Sequence, residues 1–285
     1  MAGIVIEHLK YRYPGSTVLA LDDISFTVNP GEFLGIIGRN ESGKSSLCQA
    51  VAGLIPNFYK GAYGGRVLID GTEVRNTDID ELCQTVGIVF QNPFNQVTGS
   101  KMTVYEEISF GLENMGIPKE EMVRRIEDAM ELLDIGKYRD RYPFDLSGGQ
   151  MQRMAIAGII AMKPAIIILD EPASQLDPQG REEVFLAVRK LSKQGITIIM
   201  VEHNMEKIAA FSDRIALLEE GRLIAIDTPG RVFSRDDLSD YGVEPPVFTK
   251  ICRKLGIKDE NTGCYPVTLE EARNLIGREG GTNPV

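Results

Sequence analysis

Positive charge is what this 285-residue sequence is short of: 31 Lys and Arg stand against 41 Asp and Glu, a net charge of −10. That deficit argues against a nucleic-acid surface over much of the molecule, and no nucleic acid is expected as a partner. Cysteine is scarce too. Cys48, Cys83, Cys252 and Cys264 lack the close paired spacing of a zinc site or a redox motif, and read as reduced thiols of a cytosolic protein. The longest uncharged apolar run, residues 154–162, is far short of the roughly 20 residues that span a bilayer. The N-terminus lacks the basic and apolar regions of a secretory signal, so any membrane association is expected to be peripheral. Histidine occurs only at His8 and His203, and there is no internal repeat. Hydrophobic content of 43% is enough for a sizeable core, and the length suits one large domain with or without an appendage.

What the chain does contain is a phosphate cradle. An apolar segment, residues 33–37, runs into a glycine-flanked turn and then an apolar helical stretch, residues 47–54. Gly38, Gly43, Lys44 and Ser45 fill the pattern G-x-x-x-x-G-K-[ST], whose turned-in amides and helix N-terminus face an anion. Gly38, Arg39, Asn40, Glu41, Ser42, Gly43, Lys44, Ser45 and Ser46 are therefore the candidate nucleotide-binding residues. Lys44 is expected to reach the β- and γ-phosphates and the Ser45 hydroxyl to ligate Mg²⁺. A chance match would not supply the flanking strand and helix.

Residues 3–9 and 17–28 alternate apolar and polar positions, with Tyr13-Pro14-Gly15 as the turn of an antiparallel hairpin. Tyr13, ahead of Tyr11, is the candidate to stack on adenine; packing on its own sheet is the other reading. A glycine-rich loop and a strand at 66–70 follow, then a short helix near 78–83 and a strand at 86–90 ending in Gln91. From 103 to about 141 the pattern is helical, with Met122, Ile126, Met130 and Leu133 on one face and Pro118 in a first turn. Ser147 and Gln150 have capping-box spacing ahead of an apolar helix. A buried strand at 165–169 ends in Asp170-Glu171: Asp170 fits a Mg²⁺ role and Glu171 the orienting of a water. Pro178 opens a helix, and a strand at 196–201 ends at Glu202-His203-Asn204, whereas His8 reads as structural. A closing hairpin at 215–226, helices at 247–255 and 269–276, and a polar tail from Gly277 complete the chain.

With these motifs in this order, residues 3–230 resemble the ATP-binding subunit of an ATP-binding cassette transporter. The family's Walker A matches residues 38–45, its Q-loop Gln91, its LSGGQ signature residues 146–150, its Walker B 166–170, its catalytic glutamate Glu171, its D-loop 174–177 and its switch histidine His203. The stretches at 90–96, 110–114 and 242–246 look like the energy-coupling-factor and cobalt-type importer subunits. The resemblance implies an α/β fold: a P-loop NTPase core with an antiparallel β subdomain and a helical signature subdomain, plus a small, mostly helical C-terminal extension. The expected division is residues 1–230 for the ATP-binding domain, with its helical insertion at about 92–160, and 231–285 for the extension.

The resemblance also implies a mechanism. Two chains, identical or paralogous, stack head to tail so that each ATP lies between one Walker A and the partner's Ser147, Gly148, Gly149 and Gln150. Glu171, His203 and Gln91 are the implied catalytic residues, and Ser45, Gln91 and Asp170 the implied Mg²⁺ ligands. An integral membrane subunit would dock beside Gln91 and the helical insertion, placing the chain on the cytoplasmic side of the cell membrane and driving uptake of a micronutrient, a vitamin or metal ion. The competing reading is a soluble cassette ATPase of DNA repair or translation, but the stretch between Gln91 and Leu146 is too short for a coiled-coil arm. At least two of Phe94, Val97, Phe110 and Met115 are expected to form an exposed groove for the membrane subunit. The chain departs from the family at Glu41, usually Gly, at Gln175, commonly Ala, and at Glu202 and Asn204 beside the histidine. Glu41 is expected to turn outward, with a contact to the partner chain's Arg153 or Gln150 forming only on closure of the dimer.

Overall fold

The computed structural model describes residues 2–174 and 176–279. Alternation builds the first layer. In β1 (Ile4–Arg12) and β2 (Leu21–Val28) buried and open side chains take turns, as in a sheet with one face on the core. The two strands pair antiparallel, and β1 carries a bulge around His8, which takes φ 48°. The expected strand at 17–20 is instead a connection: Ala20 N donates to Tyr11 O at 2.8 Å.

Next come β3 (Phe33–Ile37), α1 (Lys44–Val51), the single turn α2 (Leu54–Asn57), β4 (Ala62–Ile69) and β5 (Thr72–Glu73). The glycines expected to form a loop lie inside β4. Gly65, at φ 75°, faces the bulge, where a Cβ would come within 2.2 Å of His8 O, so only glycine lets β4 pair with β1 there. The antiparallel sheet has the order β2-β1-β4-β5.

The chain continues through α3 (Ile79–Thr85), β6 (Val86–Val89), α4 (Val104–Asn114), α5 (Lys119–Leu132), α6 (Gly148–Met162), β7 (Ile166–Asp170), α7 (Pro178–Lys193), β8 (Thr197–Val201), α8 (Met205–Phe211), β9 (Arg214–Glu219) and β10 (Arg222–Asp227). Strands β3, β7 and β8 are buried along their whole length, as their unbroken apolar sequences require of parallel strands covered on both faces. The second sheet has the order β10-β9-β3-β8-β7-β6, with only the β9–β10 pair antiparallel.

Period-two alternation divides this sheet between two cores. Leu34, Ile36, Ile166, Ile168, Ile199 and Val201 pack with α1 and the antiparallel sheet. Phe33, Ile37, Ile167, Leu169, Ile198 and Met200 pack with the helical elements, including Ile126, Met130 and Leu133 of the expected α5 stripe. Pro118 stands one residue before α5, at its N-cap, where it sets the entry angle without removing a helical hydrogen bond.

α9 (Pro229–Phe233), α10 (Val247–Leu255) and α11 (Leu269–Glu279) form the C-terminal part. The helix expected to stop at Ile276 runs through Gly277 to Glu279, so the first residues of the polar tail are helical; residues 280–285 lie outside those described. This part touches the nucleotide-facing elements. Gly242, at φ 63°, lies under the Arg39 side chain, where a Cβ would meet Arg39 Nε at 2.6 Å. Val247 N donates to Glu206 Oε1 at 3.2 Å, joining α10 to the helix after His203.

Candidate nucleotide site

In a parallel sheet the C-terminal strand edge is where loops from different strands meet. Here β3 delivers the Gly38 turn, β7 delivers Asp170 and Glu171, and β8 delivers His203, while Gln91 follows β6 by two residues. A cavity of about 590 Å³ lies over this edge, lined by Tyr13, Ala20, Asn40, Glu41, Gly43, Lys44, Ser45, Ser46, Gln91, Glu171 and His203.

The turn is glycine-dependent at both ends. Gly38 takes φ 145° and a Cβ there would sit 2.1 Å from Leu218 O; Gly43 takes φ 101° and a Cβ would sit 2.5 Å from Ala20 O. No side chain caps α1, whose first amides therefore stay open toward the cavity. Lys44 Nζ donates to the carbonyls of Gly38, at 3.0 Å, and Arg39, at 2.6 Å. Burial lowers the Lys44 pKa, with Glu171 and Asp170 opposing that shift.

Glu171, at φ 51°, is held at both oxygens. Gln91 Nε2 donates to Oε2 at 2.5 Å, and His203 Nε2 lies 2.8 Å from Oε1. Asp170 lies beneath, only 7% exposed. Burial raises its carboxyl above the usual range, the Glu171 charge adds to that, and a hydrogen bond from Ser45 opposes it. Asp170 Oδ1 is buried without a hydrogen-bond partner. A metal-bound water would satisfy that orphaned acceptor, and with the Ser45 hydroxyl alongside, the oxygen-rich donor set fits Mg²⁺.

Other sequence-derived candidates fall elsewhere. The Arg39 side chain turns toward Glu219, 3.7 Å away, and Ser42 is buried below the turn. Tyr11 is fully buried, its hydroxyl on the carbonyls of Tyr59 and Lys60, so stacking on adenine by Tyr11 is overturned. Ser147, Gly148, Gly149 and Gln150 do not line the cavity. The expected capping box is present: Gln150 N donates to Ser147 Oγ at 3.4 Å and Ser147 N to Gln150 Oε1 at 3.1 Å.

Glu41 is exposed and takes φ 66°, a backbone suited to the glycine more usual there. The donors considered for it are already engaged. Arg153 is buried, bonded to Leu133 O at 3.3 Å and ion-paired with Glu183, while the Gln150 side chain closes its capping box and donates to Tyr138 Oη at 3.1 Å. Gln175 lies outside the described residues. Glu202 Oε1 accepts from His203 N at 2.8 Å and Asn204 N at 3.0 Å, which fixes the backbone that carries the histidine. His8 is exposed and bonds Asp23 at 3.0 Å across the sheet.

Sequence reasoning did not find Ala20, brought to the cavity by its pairing with Tyr11, or Gln49, whose side chain meets Tyr13. A larger cleft of about 930 Å³ opens beside the C-terminal part, and it contains none of the phosphate-loop residues.

The family model for ABC transporters matches residues 21–174. A putative ABC transporter ATP-binding protein of Pyrococcus abyssi is 44% identical over 273 residues, covering 94% of this chain and 97% of the relative. The energy-coupling factor transporter ATP-binding protein EcfA1 of Streptococcus thermophilus is 40% identical over 255 residues, 88% of this chain and 90% of that protein. Among solved structures, cbiO1 of Clostridium perfringens, part of the ABC transporter complex cbiONQ, is similar with a TM-score of 0.72 and 33% identity, over 89% of this chain and 95% of that one. The dimeric cassette MJ0796, bound to ADP and Pi in a post-hydrolysis state, is similar with a TM-score of 0.70 and 26% identity, over 79% of this chain and 98% of that one.

Proposed function

The chain belongs to the ABC transporter family as an ATP-binding, ATP-hydrolysing subunit, and from that premise we propose that it powers an importer of the energy-coupling-factor type. The chain's similarity to an energy-coupling factor transporter ATP-binding protein and to cbiO1 supports that reading. One observation carries the two-chain site within it: the phosphate loop is complete and open, while the signature residues sit away from it in a finished helix cap. One chain thus offers half of each of two sites. A second cassette, identical or paralogous, supplies its segment Ser147 to Gln150, in which the cap leaves the Gly148 and Gly149 amides open, to the far side of the γ-phosphate, and ATP joins the two faces.

In this reading the open amides of the phosphate turn and of the first turn of α1, with the Lys44 ammonium, bind the phosphates, and Tyr13 takes the adenine. Ser45, Gln91 and Asp170 would hold Mg²⁺, which would supply positive charge to the phosphate oxygens when bound. Glu171 orients and polarises the attacking water. His203 and Gln91, both bonded to Glu171, exchange that carboxylate for the γ-phosphate and its surroundings as the site closes. The division at residue 230 belongs to the same proposal: residues 1–230 bind and hydrolyse ATP, and the segment from 231 braces the phosphate turn and α8 through Gly242 and Val247.

The membrane partner is expected at the helical subdomain. Val97 and Phe110 line a groove of about 120 Å³ with Met154, Ile159 and Met162. Phe94 is exposed and Met115 half-buried, but neither lines it. No helix among the described residues is long and apolar enough to cross a membrane; the proposed place, beside a membrane subunit as for a subunit of such a transporter, is peripheral, on the cytoplasmic face. The cargo is proposed as a micronutrient, a vitamin or a metal ion, as for importers of this type. Purification from native membranes tests the reading: an integral membrane protein should accompany the chain, and recovery of the chain without one would favour a soluble cassette ATPase.

A further inference from the structure

We propose that Gln49, on the helix that follows the phosphate turn, is a positioning residue that holds Tyr13 in place as the adenine platform. This rests on the reading of Tyr13 as the adenine-stacking residue and goes beyond it by naming what fixes the ring. Tyr13 is half-buried at the cavity wall. Its hydroxyl donates to Gln49 Oε1 at 3.1 Å and lies 3.0 Å from Ser46 Oγ. Ser46 and Gln49 are three residues apart on α1, on one helical face, which lets a single hydroxyl meet both. The ring edge is fixed as well, against Tyr11, with centroids 4.8 Å apart and planes at 80°. Tyr11 is itself immobilised by burial and by the carbonyls of Tyr59 and Lys60.

Counting protons separates the two tip contacts. The phenol has one proton and gives it to Gln49 Oε1, which can only accept; toward Ser46 the phenol therefore accepts, and Ser46 is the donor. Ser46 also has one proton. A phosphate oxygen arriving at the first turn of α1 is a charged acceptor and the stronger competitor for it. Once Ser46 turns to phosphate, Gln49 is the remaining tether on the Tyr13 hydroxyl. The base platform then depends on Gln49, while the phosphate cradle does not.

The test measures binding of two ligands to the full-length chain with Mg²⁺: ATP, and inorganic tripolyphosphate, which has no base. A net hydrogen bond predicts that Gln49→Leu weakens ATP by about two- to tenfold and leaves tripolyphosphate unchanged. Tyr13→Phe should give the same loss, and Gln49→Leu should add nothing to it. Gln49→Glu keeps an acceptor oxygen at the same reach and should restore the ratio of the two affinities. Equal weakening of both ligands in Gln49→Leu would mean damage to α1 and would overturn the proposal, as would an unchanged ratio. Tyr13→Ala separates the two levels: a ratio that falls there but not in Gln49→Leu removes the role of Gln49 alone, whereas a ratio unchanged in Tyr13→Ala removes the adenine platform and the proposal with it.

Discussion

His203 Nε2 lies 2.8 Å from Glu171 Oε1, joining the loops that follow two neighbouring parallel strands. Gln91 holds the other oxygen, so the carboxylate is tied to the loops that follow β6 and β8. Glu171→Gln keeps the shape and removes the base. It is expected to bind ATP normally and to lose about 10²- to 10⁴-fold in turnover, read as phosphate release beside a direct ATP-binding measurement. Activity within threefold of the unaltered chain would remove Glu171 from the chemistry.

Asp170 sets a second expectation, because burial, the largest cause, raises its carboxyl above the ordinary value of 3.8. Above the raised value the charged form costs the fold stability; below the ordinary value both states are protonated and nothing is lost. Asp170→Asn should therefore raise the melting temperature measured without ligand at pH 8. The gain should shrink as pH falls through the raised value toward 3.8. A lower melting temperature at pH 8 would contradict this reading of the buried carboxylate.

Much of this site is legible in the sequence because its parts are local. The Gly38–Ser45 turn, the Ser147–Gln150 cap and the apolar strands that end at Asp170 and Val201 are each set by spacing over a few residues. What escapes is pairing between distant side chains. Arg153 has no local signature of burial, and only the fold brings Glu183 to it. The tethering of Tyr13 by Gln49 likewise depends on a β1 end reaching α1, and Arg39 over Gly242 on a loop far along the chain. The glycines of β4 read as loop because the bulge they accommodate lies in another strand.

Glu41 occupies a left-handed backbone at φ 66° and is exposed. A side chain among the phosphates would be repelled by roughly 4 kcal/mol at about 4 Å and an effective dielectric near 20; one turned to water would not. Glu41→Gly is expected to change ATP affinity of the isolated subunit by less than about tenfold, or 1.4 kcal/mol. Titration of the isolated chain decides it, and a gain of a hundredfold would place the carboxylate among the phosphates.

Val97 and Phe110 share one groove wall with Met154 and Met162. Phe110→Glu puts a charge into that apolar groove, so co-purification of the membrane subunit should fall about tenfold or more, by loss of apolar contact and desolvation of the carboxylate. ATP binding measured in parallel guards against misfolding. Undiminished recovery of the membrane subunit would move the docking surface elsewhere.

The central claim is that each ATP site is built by two chains, and a mixture of two crippled chains tests it. Ser147→Arg spoils the signature face but leaves the phosphate loop whole; Lys44→Ala does the reverse. Each alone should be nearly inactive. When mixed, and with mixed dimers verified, they form one site from two intact faces, and ATPase activity should reappear well above the sum of the separate preparations. Absence of any recovery in verified mixed dimers would contradict the composite site.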